Sequence, residues 1–172
     1  MVLKSKKLIF RSLFTIYIIF IVVIFSSFYD PWVPSEQYLK KIEKKIPQSI
    51  SVNEPIINLF YISPDQICYY KIMEHDLHKG YVVIAKAPSK HHFFDFYVIL
   101  DNQRNISKVE ILKYRENWGY EISNKKWLRQ FQKLYDSKLG SRHHVQAISG
   151  ATISVTSLCN YIDKILDHLK SI

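Results

Sequence analysis

The chain has 172 residues, of which 48% are hydrophobic, and a net charge of +9 at pH 7. This length and composition allow one soluble domain and one membrane element. Two cysteines, Cys68 and Cys159, are too few for a disulfide framework, and we predict buried thiols. No Lys/Arg cluster is combined with a nucleic-acid-binding motif, so the basic charge does not indicate a nucleic-acid partner. Anionic lipid headgroups and a plain solvated surface are the two remaining explanations of that charge.

The N-terminus predicts a single transmembrane anchor. Four basic residues come first: Lys4, Lys6, Lys7 and Arg11. Residues 12–29 follow as a run of 18 residues without a charge, which as a helix would span roughly 27 Å, close to the hydrocarbon thickness of a bilayer. Because a basic flank belongs on the cytoplasmic side, residues 33–172 are expected on the extracytoplasmic (periplasmic) side. A cleaved signal peptide is the alternative, but no Ala-x-Ala-like site follows the long apolar run.

A short helix is predicted to lead from the anchor to the domain. Ser35 is its expected N-cap and Pro47 its end, with Leu39, Ile42 and Ile46 on one apolar stripe. We expect it to lie on the domain or near the membrane surface. The predicted organisation is therefore an anchor in residues 1–32, a short helix and linker in 33–56, and one domain in 57–172.

The first half of the domain predicts a sheet. Five segments have strand character: 57–62, 68–73, 81–87, 94–100 and 106–114. In the fourth segment Phe94, Phe96, Val98 and Leu100 alternate with Asp95 and Tyr97, which is typical of a strand with one face on the core. Together the segments predict an α+β fold with a twisted, mostly antiparallel sheet and packed helices.

The second half of the domain predicts two helices. Ser123 is the expected N-cap of the first, whose apolar face comprises Trp127, Leu128, Phe131, Leu134 and Tyr135. The second follows residue 152, and its apolar face comprises Val155, Leu158, Cys159, Ile162, Ile165, Leu166 and Leu169. The opposite, polar face comprises Ser154, Asn160, Asp163, Lys164, Asp167 and Lys170.

The segment before the last helix has the character of an anion site. Thr152 is predicted at or just before the first turn, where unpaired backbone N–H groups and the helix dipole favour a phosphate. Gly150 and Ala151 have small side chains, so another group can approach the backbone closely. A plain N-cap is the more frequent role of Ser or Thr at such a place, and both interpretations stay open on these residues alone.

Ser149-Gly150-Ala151-Thr152 before an amphipathic helix resembles the flavinylation motif of the FMN-binding domain family. That family includes the C subunit of the sodium-pumping NADH:quinone oxidoreductase and the G subunit of Rnf-type electron transport complexes. The resemblance implies a phosphoester between the Thr152 hydroxyl and FMN, made from FAD by a flavin transferase. The aspartate usual in that motif, six residues before the threonine, is Gln146 here. Reversible FMN binding and the absence of flavin are therefore the alternatives.

The loop after the fifth strand resembles the family's second landmark, a Glu-Thr-Pro-Gly-Leu-Gly type segment. Glu116 and Gly119 match its glutamate and first glycine, whereas Trp118, Tyr120 and Glu121 replace its proline, leucine and last glycine. The resemblance implies that Glu116, Gly119 and Tyr120 lie near the flavin, where an aromatic side chain could stack on the ring. The alternative is that Trp118 and Tyr120 fill the joint between sheet and helix.

The resemblance implies a membrane-anchored extracytoplasmic flavoprotein that carries electrons through FMN, as a subunit rather than a self-contained enzyme. Its phosphate would be held by Ser149 and the helix-start amides, with Gly150 and Ala151 leaving room. Its redox partner proteins are unknown. The alternatives are a binding or assembly module of the same fold without flavin and, last, a hydrolase, for which no Gly-x-Ser-x-Gly elbow is present. The histidines have no metal-ligand spacing, so we predict surface histidines and no metal site.

Overall fold

The computed structural model describes residues 16–18, 32–46, 56–74, 77–133 and 145–171, without the side chains of residues 56–61 and 133. The chain divides into two units, Met1–Trp32 and Val33–Ile172. In the first unit, residues 16–18 are helical. Within the described ranges no helix is both long and apolar enough to cross a membrane. Most of the predicted anchor, residues 12–29, lies outside those ranges, and the anchor stays a prediction.

The second unit is built on one five-stranded sheet. Its strands are β1 (Ile56–Ser63), β2 (Ile67–Glu74), β3 (Leu77–Pro88), β4 (Phe93–Asp101) and β5 (Ile106–Lys113). They pair in chain order, and every neighbouring pair is antiparallel. The α+β class and the antiparallel sheet are thus confirmed. The third strand begins earlier than predicted, because residues before position 81 still pair with β2 and, at Gly80, with β4.

Helices precede and follow the sheet. α1 (Glu36–Glu43) begins after Ser35, which has the extended backbone of an N-cap but makes no side-chain capping bond. The last helix, α3, spans Thr152–Ser171. In the described residues between β5 and α3 the helical segments are short: Tyr120–Ser123 and Arg129–Lys133 are 3₁₀ helices, and α2 (Lys125–Leu128) lies between them.

The prediction of Ser123 as the cap of a long helix is wrong. The cap is Asn124, whose side-chain oxygen accepts from the backbone N–H of Lys126 at 2.8 Å and of Trp127 at 3.4 Å. Ser123 is already part of the preceding 3₁₀ turn, which closes with the bond from Asn124 N–H to the Glu121 carbonyl at 2.9 Å. Leu128 and Phe131 are buried as predicted. Leu134 and Tyr135 lie outside the described residues.

The sheet is buried on both faces, so the prediction of a single core face for β4 is wrong. The face covered by α3, here the α3 face, holds an apolar core that includes Tyr69, Val83, Phe94, Phe96, Val98, Leu100, Phe131, Leu158, Ile162, Ile165 and Leu169. The opposite face, here the α1 face, holds Cys68, Tyr70, Ile72, Val82, Ile84, Tyr97 and Ile99, all at most 2% exposed. The alternation in the sequence identified the buried α3 face. It did not show that α1 covers the opposite face of the sheet.

α1 reaches the sheet through both apolar and polar contacts. Ile42 is fully buried. The Tyr38 hydroxyl donates to Asp95 Oδ2 at 3.1 Å, and Lys45 pairs with Glu110. The predicted position of this helix on the domain is therefore confirmed.

The two cysteines lie on opposite faces of the sheet. Cys159 belongs to the α3-face core, whereas Cys68 is buried on the α1 face. Both are thiols, as predicted. Burial raises the pKa of the Cys68 thiol to about 11, which leaves it protonated and unreactive at neutral pH.

Candidate functional site

The motif segment forms a tight turn that leads directly into α3. The Ala151 N–H donates to the Ile148 carbonyl at 3.2 Å, and the Ala151 carbonyl accepts from Val155 N–H at 2.9 Å as the first bond of the helix. Thr152 is the first helical residue, as predicted, and its side chain is exposed. The backbone N–H groups of the first helical turn and the positive end of the helix dipole therefore lie at this threonine.

Two small residues of the motif have different structural roles. Gly150 has φ of +77°, which favours glycine, and a Cβ built there meets no atom within 4 Å. The space above Gly150 is thus open to another molecule. Ala151 is 2% exposed and packs under Gly119, where an added Cβ would lie 2.7 Å from the Ala151 Cβ. The smallness of Ala151 therefore serves the contact with the Gly119 loop as well as access to the cavity.

The loop after β5 packs against the start of α3. Gly119 has φ of +74°, and the contact with Ala151 leaves no room for a larger residue there. The Tyr114 hydroxyl lies 3.0 Å from Ser154 Oγ. The two landmarks found in the sequence, Glu116 with Gly119 and the motif at Thr152, are thus brought together.

Glu116 is buried and fastens the loop to the turn between β3 and β4. Its Oε1 accepts from the backbone N–H of His91 at 2.7 Å and of His92 at 3.1 Å. The bond from His91, helped by those from His92 and the Ser89 hydroxyl, outweighs burial and lowers the pKa of Glu116 to about 2. Glu116 therefore carries its negative charge throughout the physiological pH range.

These elements enclose a cavity of about 220 Å³, here the motif cavity. Its wall comprises Ser89, Lys90, Tyr114, Glu116, Trp118, Gly150, Ala151, Thr152, Ile153 and Ser154. Ile153 and Trp118 are 51% and 50% exposed, so the mouth of the cavity is apolar. Lys90 Nζ lies 5.9 Å from the centre of the Trp118 ring, which places a cation at the same mouth.

The predicted site residues fall into three groups. Four of them line the motif cavity: Glu116, Gly150, Ala151 and Thr152. Gly119 lies behind Ala151. Ser149 lines a neighbouring cavity of about 520 Å³, and Tyr120 is 58% exposed with its ring 5.9 Å from that of Tyr114.

Sequence reasoning missed several residues of the cavity wall. Ser154 was predicted on the polar, outward side of α3, but this prediction is wrong because the residue is only 2% exposed. Its buried hydroxyl is hydrogen-bonded to Ser89 and Tyr114. Ser89 and Lys90 belong to the β3–β4 turn, 65 and 64 residues away from Ser154 in the chain. No local pattern identifies them. Trp118, in contrast, could have been identified from the sequence, because it is an aromatic residue in the loop that resembles the family's second landmark.

Gln146 is exposed beside the neighbouring cavity, and hydrogen bonds of its backbone hold it in place. The Trp127 indole N–H donates to the Gln146 carbonyl at 2.8 Å, and the Gln146 N–H donates to Gln130 Oε1 at 2.8 Å. Its side chain lines the same neighbouring cavity as Ser149. The position that holds aspartate in the usual motif is therefore accessible and well defined. Among the described residues, no group of His, Cys, Asp and Glu is arranged to hold a metal ion.

Comparison with known families agrees with this geometry. Residues 91–167 match the family model described as the FMN-binding domain. The match begins in the β3–β4 turn, includes β4, β5, the Glu116 loop and the motif, and ends within α3. A search of curated proteins finds no significant match.

The residues of the motif cavity fit FMN. The helix-start amides at Thr152 and the open space over Gly150 suit a phosphate. The cavity is below the roughly 300–1,000 Å³ of typical small-molecule sites, so it suits the phosphate and adjoining chain better than a whole flavin. The exposed Trp118 and Ile153 leave an apolar surface at the mouth for a flat ring.

Proposed function

Because residues 91–167 match the family model of the FMN-binding domain, we propose that the protein is a membrane-anchored extracytoplasmic flavoprotein that carries electrons through an FMN joined to Thr152. The observation that carries this proposal is the exposed Thr152 side chain at the start of a 20-residue helix, beside the open space over Gly150. FMN supplies the redox chemistry when bound. The protein supplies attachment, orientation and the surrounding charge.

Attachment is proposed to occur by phosphoryl transfer from FAD. The Thr152 oxygen forms a bond to the phosphorus of the FMN half, the pyrophosphate bond breaks, AMP leaves, and the hydroxyl proton is lost. Glu116 is the carboxylate in the cavity wall, and its pKa of about 2 makes it too weak a base for this proton. We therefore assign the base to the flavin transferase that catalyses the step. The amides of the first turn of α3 would hold the phosphate in place.

The membrane part of the proposal rests on the sequence before residue 33. The basic flank and the uncharged run of residues 12–29 support one crossing with the domain outside the cytoplasm. A covalent tether is useful there, because a dissociated cofactor would be lost from the cell. Reporter fusions after residue 40 should be active only for a reporter that folds outside the cytoplasm. A cytoplasmic signal at that position would reject this topology.

The electron donor and acceptor are proposed to be membrane partners. Encounter would occur at the mouth of the motif cavity, since the exposed Trp118, Ile153 and Lys90 surround it.

The covalent bond is tested by replacing Thr152. Protein made with an active flavin transferase should gain the mass of FMN and remain fluorescent after denaturing electrophoresis, since a phosphoester survives unfolding. Thr152→Val removes the hydroxyl at similar volume and should abolish both signals. Thr156→Val is the matched control, because Thr156 is exposed one turn later on the same helix and should leave both signals intact.

The alternative is a binding or assembly module of the same fold that carries no flavin, and Gln146 in place of the usual aspartate favours it. Gln146→Asp should leave modification equal or raise it. Unmodified mass in both the wild type and this variant, with transferase active on another substrate, would reject the covalent bond. If FMN then also failed to bind reversibly, the module without flavin would replace the flavoprotein.

A further inference from the structure

Three hydroxyl groups form a continuous chain along the wall of the motif cavity. Ser89 Oγ lies 2.5 Å from Ser154 Oγ, which in turn lies 3.0 Å from the Tyr114 hydroxyl. Ser89 lies in the β3–β4 turn, Ser154 in the first turn of α3, and Tyr114 directly after the end of β5. Ser154 is 2% exposed, so its hydrogen bonds are made within the protein rather than with bulk water.

The carboxylate of Glu116 determines the direction of this chain. Each hydroxyl has one proton to donate, whereas an ionised carboxylate only accepts. Glu116 is ionised and interacts with the Ser89 hydroxyl, so Ser89 donates to Glu116. Ser154 must then donate to Ser89, and Tyr114 must donate to Ser154.

All three hydroxyl protons are therefore committed within the protein. Ser154 and Tyr114 line the cavity, and with their protons used elsewhere their oxygens can only accept a hydrogen bond from a ligand there. A phosphate also only accepts, so it does not match this wall. The helix-start amides at Thr152 and the Lys90 ammonium donate, and they match a phosphate. The motif cavity thus has a donating side and an accepting side.

We propose that the accepting side, Ser154 and Tyr114, binds the polyol chain of the flavin nucleotide. This inference rests on the proposed function. The polyol is the part of FMN bonded directly to the phosphate, and its hydroxyls can donate to acceptors. Ser154 and Thr152 both line the motif cavity, so the two sides belong to the same cavity, as the two adjoining parts of one ligand require.

Three flavins separate the contributions of phosphate and polyol. The full chain, purified in detergent without flavin transferase, is titrated with FMN, with riboflavin, which has the polyol but no phosphate, and with lumiflavin, which has the ring alone. Fluorescence quenching reports each affinity. Riboflavin should bind about tenfold more tightly than lumiflavin, as one or two added hydrogen bonds imply.

Two variants and one control assign that difference to the hydroxyl chain. Ser154→Ala and Tyr114→Phe should each weaken riboflavin binding severalfold and leave lumiflavin binding unchanged. Ser157→Ala is the matched control, because Ser157 lies on the same helix and is not part of the wall of the motif cavity. It should keep the full preference for riboflavin.

Equal affinity of the wild type for riboflavin and lumiflavin, including no detectable binding of either, would overturn the polyol site. Equal loss of both ligands in the two variants would overturn it as well, because it would give the hydroxyls a purely structural role. Binding or covalent attachment of FMN in either case would leave the proposed function intact. If FMN neither bound reversibly nor became covalently attached, the proposed function itself would be rejected.

Discussion

The two faces of the sheet are both buried, but they are covered in different ways. α3 is 20 residues long and covers its face with an almost entirely apolar core. α1 is 8 residues long and meets a face in which Asp95, Tyr97 and Glu110 are interspersed with apolar side chains. Apolar area therefore accounts for most of the stabilisation on one face, and paired polar groups define contacts on the other.

The polar groups of the α1 face are satisfied by specific partners. Arg115 donates to both carboxylate oxygens of Asp95, at 2.6 and 3.1 Å, and to the Phe93 carbonyl at 2.7 Å. Tyr97 donates to Glu110 at 2.6 Å. Burial would raise the pKa of Glu110, but hydrogen bonds from Lys45 and Tyr97 outweigh it and lower the pKa. Each carboxylate thus has specific hydrogen-bond partners.

This comparison explains how the candidate site is held. Arg115 bonds to Phe93 and Asp95 on β4, while the next residue, Glu116, bonds to the two amides just before β4. The loop is therefore fastened at two consecutive residues to the beginning of one strand. Polar contacts position the site loop, and the apolar α3 face supports the helix that carries Thr152.

The largest expected effect is loss of an apolar side chain on the α3 face. Phe131 is fully buried, and Phe131→Ala should cost about 3–5 kcal/mol of unfolding free energy; Ile162→Ala should cost about 2–5 kcal/mol. Urea denaturation measures both. Ile153→Ala is the control, since Ile153 is 51% exposed and its loss should change stability by at most about 0.5 kcal/mol. Near-zero cost at Phe131 and Ile162 would show that the core lies elsewhere.

A smaller effect is expected from the polar pair of the α1 face. Arg115→Leu leaves the buried Asp95 carboxylate without its main partner and should cost about 1.5–3 kcal/mol. Adding Asp95→Leu should recover part of that cost, because the double variant buries no unpaired charge. Lys164→Leu, which breaks an exposed pair with Asp65, should cost at most about 1 kcal/mol. Fully additive losses in the double variant would mean that the two side chains act independently.

The third effect is a pH dependence of stability that is confined to acid. Since the pKa of Glu116 is about 2 in the folded protein, against an ordinary value of 4.5, its contribution is present above pH 4.5 and is lost as the pH falls through about 2. The difference in urea stability between the wild type and Glu116→Gln should therefore be constant above about pH 5 and shrink below it. A difference independent of pH down to 2 would contradict an ionised, hydrogen-bonded Glu116.

Local patterns predicted the strands and the last helix well, because their periods are repeated over many residues. The apolar side chains of α3 and the position of Thr152 at its start follow from spacing alone. The helix expected after Ser123 was less predictable. Two neighbouring residues, Ser123 and Asn124, both have side chains suited to capping, and the 3₁₀ turn that ends at Ser123 decided between them.

The amino-acid sequence by itself determined the antiparallel sheet, the amphipathic α3, the match to the FMN-binding domain model and the two segments of the candidate site, because each depends on neighbouring residues. Only the tertiary structure decided that both faces of the sheet are buried and that Ser154 faces inward. It also brought Ser89 and Lys90 together with Glu116 and Thr152 in the wall of one cavity. The physical reason is that hydrogen-bond direction and burial depend on partners about 25–65 residues away in the chain, as in the bonds from His91 to Glu116 and between Ser89 and Ser154.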